Sequence, residues 1–282
     1  MRKTKESRPG SNMAEQDMAI QECLSRIKHK FLVMSGKGGV GKTSVAANLA
    51  VALSRKGAKV GLMDVDLHGP DIPRMLGLLG LVDVDADGVF LPKSYSDNLK
   101  MVSIESMTEK VDNAVIWRGP LKMHVIRKFL YGVWWGRIDY LIVDSPPGTG
   151  DEPLTVAQTI PDARAIIVTT PQEVSLADVR KAIDFCRTVE MTIFGLVENM
   201  SGFVCPHCGE HTYLFGTGGG KRTALSMNIP FLAQIPFDPR MVQCCDTGAP
   251  YIEKHPNSEA TRAFNKIVEK ILETEQINTA AA

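Results

Sequence analysis

Phe31-Leu32-Val33-Met34-Ser35-Gly36-Lys37-Gly38-Gly39-Val40-Gly41-Lys42-Thr43 is the stretch that decides the fold. Phe31 to Met34 are apolar and predict a buried strand, and Gly36 to Thr43 fit the spacing G-x-x-x-x-G-K-[ST] of a phosphate-binding loop. Glycines at 36, 38, 39 and 41 let the backbone curl until its N–H groups converge on an anion. Val40 and Ser44 complete the expected nucleotide cradle, and a helix opening at Lys42 adds the positive end of its dipole. Lys42 is placed to meet the outer phosphates, and the Thr43 hydroxyl to bind the magnesium ion that travels with them. A glycine-rich turn without a ligand fits poorly between an apolar strand and an Ala-rich helix.

The loop carries a second lysine, Lys37, directly after its first glycine. Gly-Lys-Gly-Gly-Val-Gly-Lys-Thr resembles the deviant loop of the MinD/ParA, arsenical-pump and nitrogenase iron-protein class of ATPases. The resemblance implies that Lys37 reaches across a dimer to the partner's nucleotide. The residue alone equally allows a surface lysine that balances phosphate charge in its own subunit.

Outward from the loop, the first helix is expected to run to about Arg55, with Gly57 as its stop. A second strand, Lys59 to Met63, leads into Asp64-Val65-Asp66-Leu67-His68-Gly69-Pro70-Asp71. Acids at the carboxyl end of a strand beside a phosphate loop lie where open α/β sheets bind ligands. One serves the magnesium shell, and the other orients or deprotonates the attacking water. Tyr140 to Val143 form a third strand closed by Asp144, a carboxylate to hold magnesium through water, and Pro146-Pro147-Gly148 follow as a switch segment.

Further strands are predicted at Ala163–Thr169, Ile193–Val197 and Phe231–Ile235. Asn199, just past the fifth, is a candidate contact to the nucleotide base, and Pro236 to Asp238, past the sixth, a second wall of its pocket. Helical spacing predicts a lead-in helix over 17–28, an amphipathic helix from Arg118-Gly119-Pro120 through Leu130, one from Ser175 to about Val189, and a last from about Ser258 to Thr274. Short alternating pieces at Gly88–Leu91 and Leu99–Ile104 read as a hairpin-like insertion within 73–117. Trp117, Trp134 and Trp135 read as packing residues. The expected architecture is α/β: one doubly wound, mainly parallel sheet with helices on both faces, spanning 17–282 behind a flexible tail at 1–16.

Composition narrows the function. Apolar residues are 44% and charged residues 23% of the 282, ordinary for a globular protein. Lys plus Arg and Asp plus Glu stand at 32 each, so no global field points to nucleic acid or to a membrane. No run approaches a membrane span and no secretory signal opens the chain, so the expected setting is the cytoplasm. Six cysteines in a chain of this length are no disulfide framework. In a reducing compartment, paired thiols point to metal or redox work.

One such pair stands between the fifth and sixth strands: Cys205-Pro206-His207-Cys208-Gly209. C-x-x-C-G is the shape of a metal knuckle, whose turn aims N–H groups at the thiolates. A zinc ribbon would need a second pair, and only the adjacent Cys244 and Cys245 offer one. A one-chain zinc site would recruit His207 and His211, and a thioredoxin-like dithiol would place the pair at a helix start. Two thiolates leave a tetrahedral cluster half-ligated, which makes a two-fold dimer attractive.

The motifs G-K-G-G-V-G-K-T, D-x-D-x-x-G-P, V-D-S-P-P-G-T-G-D, V-E-N-M-S and C-P-x-C-G stand in the order found in Mrp/ApbC-type iron–sulfur cluster carrier ATPases, and the resemblance covers about residues 28–255. It implies ATP binding and hydrolysis, a homodimer, and a [4Fe–4S] cluster bridged by both knuckles and handed from cluster donors to apo client proteins. It assigns Lys37 as the cross-dimer lysine, Lys42 as the phosphate lysine, and Thr43, Asp64 and Asp144 as magnesium residues. Asp66 becomes the water-activating acid, and Cys205 and Cys208 the cluster ligands. Asp71 departs from the serine usual in the family, and only Cys23 precedes the loop, so the four-cysteine N-terminal cluster of the eukaryotic scaffold relatives is absent. A nickel- or other metal-insertion ATPase and a MinD/ParA-like positioning switch are the competing functions. The positioning switch lacks a basic amphipathic C-terminal helix, because Glu269, Glu273 and Glu275 dilute the charge of the last one.

Overall fold

The computed structural model describes residues 13–107, 119–205 and 208–281. Its chain begins with α1 (Met13–Ser25), β1 (Ile27–Ser35), α2 (Lys42–Arg55), β2 (Val60–Asp64) and α3 (Ile72–Met75). Four short strands follow: β3 (Asp83–Val84), β4 (Phe90–Leu91), β5 (Lys93–Ser96) and β6 (Leu99–Ser103). The middle of the chain is α4 (Gly119–Tyr131), β7 (Ile138–Asp144), α5 (Asp151–Thr159), β8 (Arg164–Thr169), α6 (Glu173–Thr188) and β9 (Ile193–Glu198). The remainder is β10 (Phe203–Val204), β11 (His211–Thr212), α7 (Gly219–Ser226), β12 (Phe231–Gln234), α8 (Pro239–Asp246), α9 (Tyr251–Lys254) and α10 (Glu259–Ala281).

The central sheet has eight strands in the order β12-β9-β8-β1-β7-β2-β6-β5, parallel throughout except for β5, which runs antiparallel to β6. Parallel strands buried on both faces need continuous apolar runs, and Phe31 to Met34, Leu141 to Val143 and Ala165 to Val168 supply them at zero exposure. Side chains of α2 and α10 pack with Phe31, Val33, Leu62 and Ile142 on one face. Those of α1, α4, α5 and α6 pack with Leu32, Met34, Met63 and Val143 on the other. The mainly parallel, doubly wound layering expected from the sequence is present.

Four expectations change. Leu99–Ser103 is not part of an insertion: β6 pairs in parallel with β2 and extends the core sheet, and only β3 and β4 form a separate two-stranded ribbon. Ile27, read as the end of the lead-in helix, opens β1, because α1 stops at Ser25 and β1 runs for nine residues. That helix starts at Met13, inside the stretch expected to be flexible tail. Trp135 is buried, as a packing residue should be, whereas Trp134 is exposed under the Arg26 guanidinium, and Trp117 lies outside the described residues.

Candidate functional site

Loop residues 36–41 connect β1 to α2 at the carboxyl edge of the sheet. Gly41, the N-cap of α2, has φ +78° and lies so close to Asn199 that a Cβ there would fall 2.3 Å from Asn199 Nδ2. Only glycine fits both constraints. Asn199 in turn donates to the Val40 carbonyl at 2.9 Å, so the end of β9 supports the loop from beneath.

Lys42 is buried and donates to Asp144 Oδ1 at 2.7 Å and to Thr43 Oγ1 at 3.1 Å. Asp144 is fully buried, and its second oxygen, Oδ2, has no hydrogen-bond partner among the described residues. Sheet register sets Asp64 beside Asp144. Asp64 accepts from the Asp66 backbone N–H at 3.1 Å and from Ser103 Oγ at 3.1 Å. Burial drives the Asp64 carboxyl well above the usual carboxylate range, the Asp144 charge adds to this, and Lys42 opposes it. Burial also raises Asp144, against the pull of Lys42. An oxygen-rich set with one unpartnered buried carboxylate oxygen suits a hard divalent cation.

Asp66, beyond β2, is half-buried and accepts from the Gly69 N–H at 3.3 Å. It lines a cleft of about 470 Å³ together with Lys37, Gly38, Gly39, Gly41, Lys42, Thr43, Ser44, His68, Asp71 and Pro147, whereas Gly36 packs against the Asp178 backbone of α6. Lys37 has no ion-pair partner among the described residues. Glu152 in the first turn of α5 pairs with Lys122 of α4 at 2.8 Å, and His68 Nε2 lies 4.0 Å from the same oxygen. The segments after β2 and β7 therefore meet beside the cleft. Sequence reading passed over His68, Lys122 and Glu152, since nothing local marks a pair formed between separate helices.

A smaller pocket of about 190 Å³ adjoins the loop and joins Gly41, Ser44, Asn199, Pro236 and Asp238 to Met75, Met200, Phe237, Met241, Val242 and Cys245. Its apolar lining and few polar groups suit a flat heteroaromatic base. Asp238 caps α8 by accepting from the Arg240 N–H at 2.9 Å, and Tyr251 donates to it at 2.5 Å. Burial works to raise this carboxyl, but the bonds from Arg240 and Tyr251 outweigh it and hold it at about 2. Asp238-Pro239, a capping residue followed by proline at the first helical position, is the signal that announces α8 and with it Met241, Val242 and Cys245. Cys245 Sγ lies 3.7 Å from Ser44 Oγ, and Cys244 packs into the core, so neither belongs to a zinc ribbon.

The knuckle sits on a hairpin. β10 and β11 pair antiparallel, with Phe203 opposite Thr212 and Val204 opposite His211. The Cys205 N–H donates to the Glu210 carbonyl at 2.9 Å, and the Gly209 N–H donates back to the Cys205 carbonyl at 2.9 Å. Gly209 is left-handed at φ +75°. Cys208 lies in a turn rather than at a helix start, which removes the thioredoxin-like alternative, and it is exposed while Cys205 is half-buried. His207 lies outside the described residues, and no cluster of three metal-ligating side chains occurs among the described ones. The hairpin rests on the turn after β12: the Phe237 N–H donates to the Gly202 carbonyl at 2.7 Å, and the Phe203 and Phe237 rings are 6.2 Å apart.

No helix of the described residues is long and apolar enough to cross a membrane. Residues 26–272 match the ParA family in the form described as NUBPL iron-transfer P-loop NTPase. The iron-sulfur cluster carrier protein of Methanocaldococcus jannaschii is 46% identical over 262 residues, covering 93% of this chain and 90% of its own. Its counterpart from Saccharolobus solfataricus is 45% identical over 263 residues, with 93% and 89% covered. Among solved structures, the nucleotide-binding protein of Archaeoglobus fulgidus in complex with ADP, with cobalt found in it, superposes with a TM-score of 0.73 at 42% identity, over 82% of this chain and 91% of that one. The cell division ATPase MinD of Pyrococcus furiosus follows at TM-score 0.63 and 26% identity, over 87% and 99%.

Proposed function

The chain belongs to the NUBPL iron-transfer P-loop NTPases of the ParA family, and from that premise we propose that it is an ATP-hydrolysing carrier that assembles a [4Fe–4S] cluster between two copies of itself and passes it to apoproteins. The observation that carries this reading is the placement of the Cys205-x-x-Cys208-Gly209 turn. It projects from a hairpin that leaves β9 just past Asn199, the residue that holds the phosphate loop.

Residue roles follow from position. Backbone N–H groups of 36–41 and the start of α2 cradle the phosphates, while Lys42 transfers its charge from Asp144 to the outer phosphates. Thr43, Asp64 and Asp144 fit magnesium, with the unpartnered Asp144 Oδ2 the strongest sign of it. Bound magnesium would neutralise charge on the transferred phosphoryl group. Asp66, in the cleft wall, orients the attacking water, and Lys37 extends to the nucleotide of the second subunit. Asn199, Pro236 and Asp238 frame the adenine. Thiols that hold iron, one of them exposed, suit a reducing compartment such as the cytoplasm. A metal-insertion ATPase would share the cleft and differ in its cargo, and a positioning switch would leave the knuckle without a task.

The test is transfer. Protein reconstituted anaerobically with iron and sulfide should restore activity to an apo iron–sulfur enzyme, and the Cys205→Ala/Cys208→Ala protein should not. Equal iron uptake by both proteins, or uptake by neither, would overturn the carrier reading.

A further inference from the structure

The knuckle is an excursion of the chain that leaves after Asn199 and returns at α7, and one buried carboxylate ties its two stems. Glu198 is fully buried. Its Oε1 accepts from Ser201 Oγ at 2.5 Å on the outgoing stem and from the Gly218 N–H at 2.8 Å on the returning one. Its Oε2 accepts from the Gly220 N–H at 2.5 Å, and Gln234 Nε2 donates to Oε1 at 2.9 Å from the neighbouring strand. Ser201 and Thr217 close the ring through their hydroxyls at 3.2 Å.

A buried carboxylate without a countercharge is costly. Glu198 forms no ion pair among the described residues, and its charge faces the N-terminus of α7, where N–H groups and the helix dipole stabilise it. The approach is close enough that a Cβ on Gly220 would stand 3.0 Å from Glu198 Oε2. A chain needing only to cover strand β9 has cheaper choices than a charge at that point. What this charge provides is a rigid joint between both knuckle stems and the strand end.

The next residue makes the joint consequential. Asn199 holds Val40 of the phosphate loop and lines the base pocket, and its backbone N–H is fixed on the Thr169 carbonyl at 2.7 Å. Met200 then adopts φ +56° and Gly202 φ +81°, so the chain turns sharply between the loop contact and the hairpin. For Met200 that conformation is costly, and it persists only where neighbouring contacts enforce it. Five residues separate Asn199 from Cys205. Phe237 adds a second bridge, lining the base pocket on one side and meeting Phe203 on the other.

We infer that Glu198 is the positioning residue through which nucleotide occupancy is felt at Cys205 and Cys208. The inference rests on the carrier reading for its purpose, but its test needs no cluster. Cys208 is exposed, so its alkylation rate by a maleimide, followed by mass spectrometry of the apo full-length protein, reports the state of the knuckle. Saturating Mg·ADP or a non-hydrolysable ATP analogue should change that rate about fivefold or more in the wild type, the lower end of ordinary allosteric coupling.

Glu198→Gln places an amide N–H₂ against donors from Gly218, Gly220 or Ser201. It should lower the rate ratio markedly, the Phe237 bridge keeping a remainder, while the nucleotide affinity measured by calorimetry stays unchanged. Ser201→Ala removes only the outgoing stem's bond to Glu198, its backbone N–H staying on the Ile235 carbonyl, and should lower the ratio part-way, which keeps the test decisive if Glu198→Gln does not fold. A wild-type rate indifferent to nucleotide, or a wild-type ratio kept in whichever of the two variants folds, would overturn the inference. So would parallel loss of nucleotide affinity, which would mean that Glu198 merely supports the pocket. Failure of the carrier reading appears separately, as absence of iron uptake.

Discussion

The phosphate cleft and the cysteine knuckle are built on opposite principles. The cleft is assembled from the carboxyl ends of β1, β2 and β7 in the middle of the sheet, with Lys42 and Asp144 ion-paired and Asp64 buried beside them. The knuckle hangs on two strands of two residues each, held by a few backbone hydrogen bonds, with Cys208 exposed. The buried groups of the cleft all come from one chain, and the fold around them meets the cost of holding them in place. In the carrier reading proposed above, two thiolates make half of a tetrahedral site, which a second copy about a two-fold axis would complete most simply.

The contrast can be broken residue by residue. Asp66→Asn should bind Mg·ATP normally and lose about 10²- to 10⁴-fold in turnover, the usual worth of a positioned base. Steady-state phosphate release measures this, and normal turnover would move the role to Asp64. Lys42→Ala should weaken nucleotide binding about tenfold to a hundredfold, since hydrogen bonds to charged groups are worth roughly 1.5–3 kcal/mol. Calorimetry reads it, and an unimpaired, folded variant would sink the loop assignment. Iron uptake at the knuckle should survive both changes.

Asn199→Ala removes the bond to Val40 and the proposed base contact, so nucleotide affinity should fall about fivefold to tenfold, one ordinary hydrogen bond's worth. An unchanged affinity would show that the loop stands without its support. Asp238 gives the smallest effect, on stability. Its carboxyl sits at about 2 in the fold. An unfolded aspartate titrates near ~3.9, so the stabilisation is complete above that value and is lost as pH falls through the folded one. Asp238→Asn should melt about 2–4 °C below the wild type at neutral pH. The gap should narrow on acidification below roughly pH 4, and a gap independent of pH would contradict the assignment.

How much of this the sequence disclosed depends on how local each signal is. Phe31 to Thr43 carries strand, loop and helix start in one run, and its reading needed nothing distant. The C-x-x-C-G turn was legible for the same reason, since Gly209 imposes it. Leu99–Ser103 misled because Lys100 interrupts the apolar run, and alternation in a strand beside the sheet edge looks like a hairpin. Ile27 misled because Ile20, Leu24 and Ile27 share helical spacing although a strand begins there. Met200, Phe237 and Cys245 meet only because β9 and β12 are neighbours in the sheet and α8 follows β12, a fact of topology that no local window contains. Glu198 stood in plain view within V-E-N-M-S, but its partners Gly218 and Gly220 lie about twenty residues on.

The central claim is that each knuckle is half of one cluster site, and the most direct measurement is iron and sulfide content alongside sedimentation for the anaerobically reconstituted protein. About four irons and four sulfides per two chains, sedimenting as a dimer, is the predicted result, with both lost when either Cys205 or Cys208 is replaced by alanine. Replacing Cys23, Cys186, Cys244 or Cys245 should leave the content intact. A Cys205→Ala protein that keeps its full iron, or a wild-type monomer holding a single metal ion through Cys205, Cys208 and His211, would contradict the account.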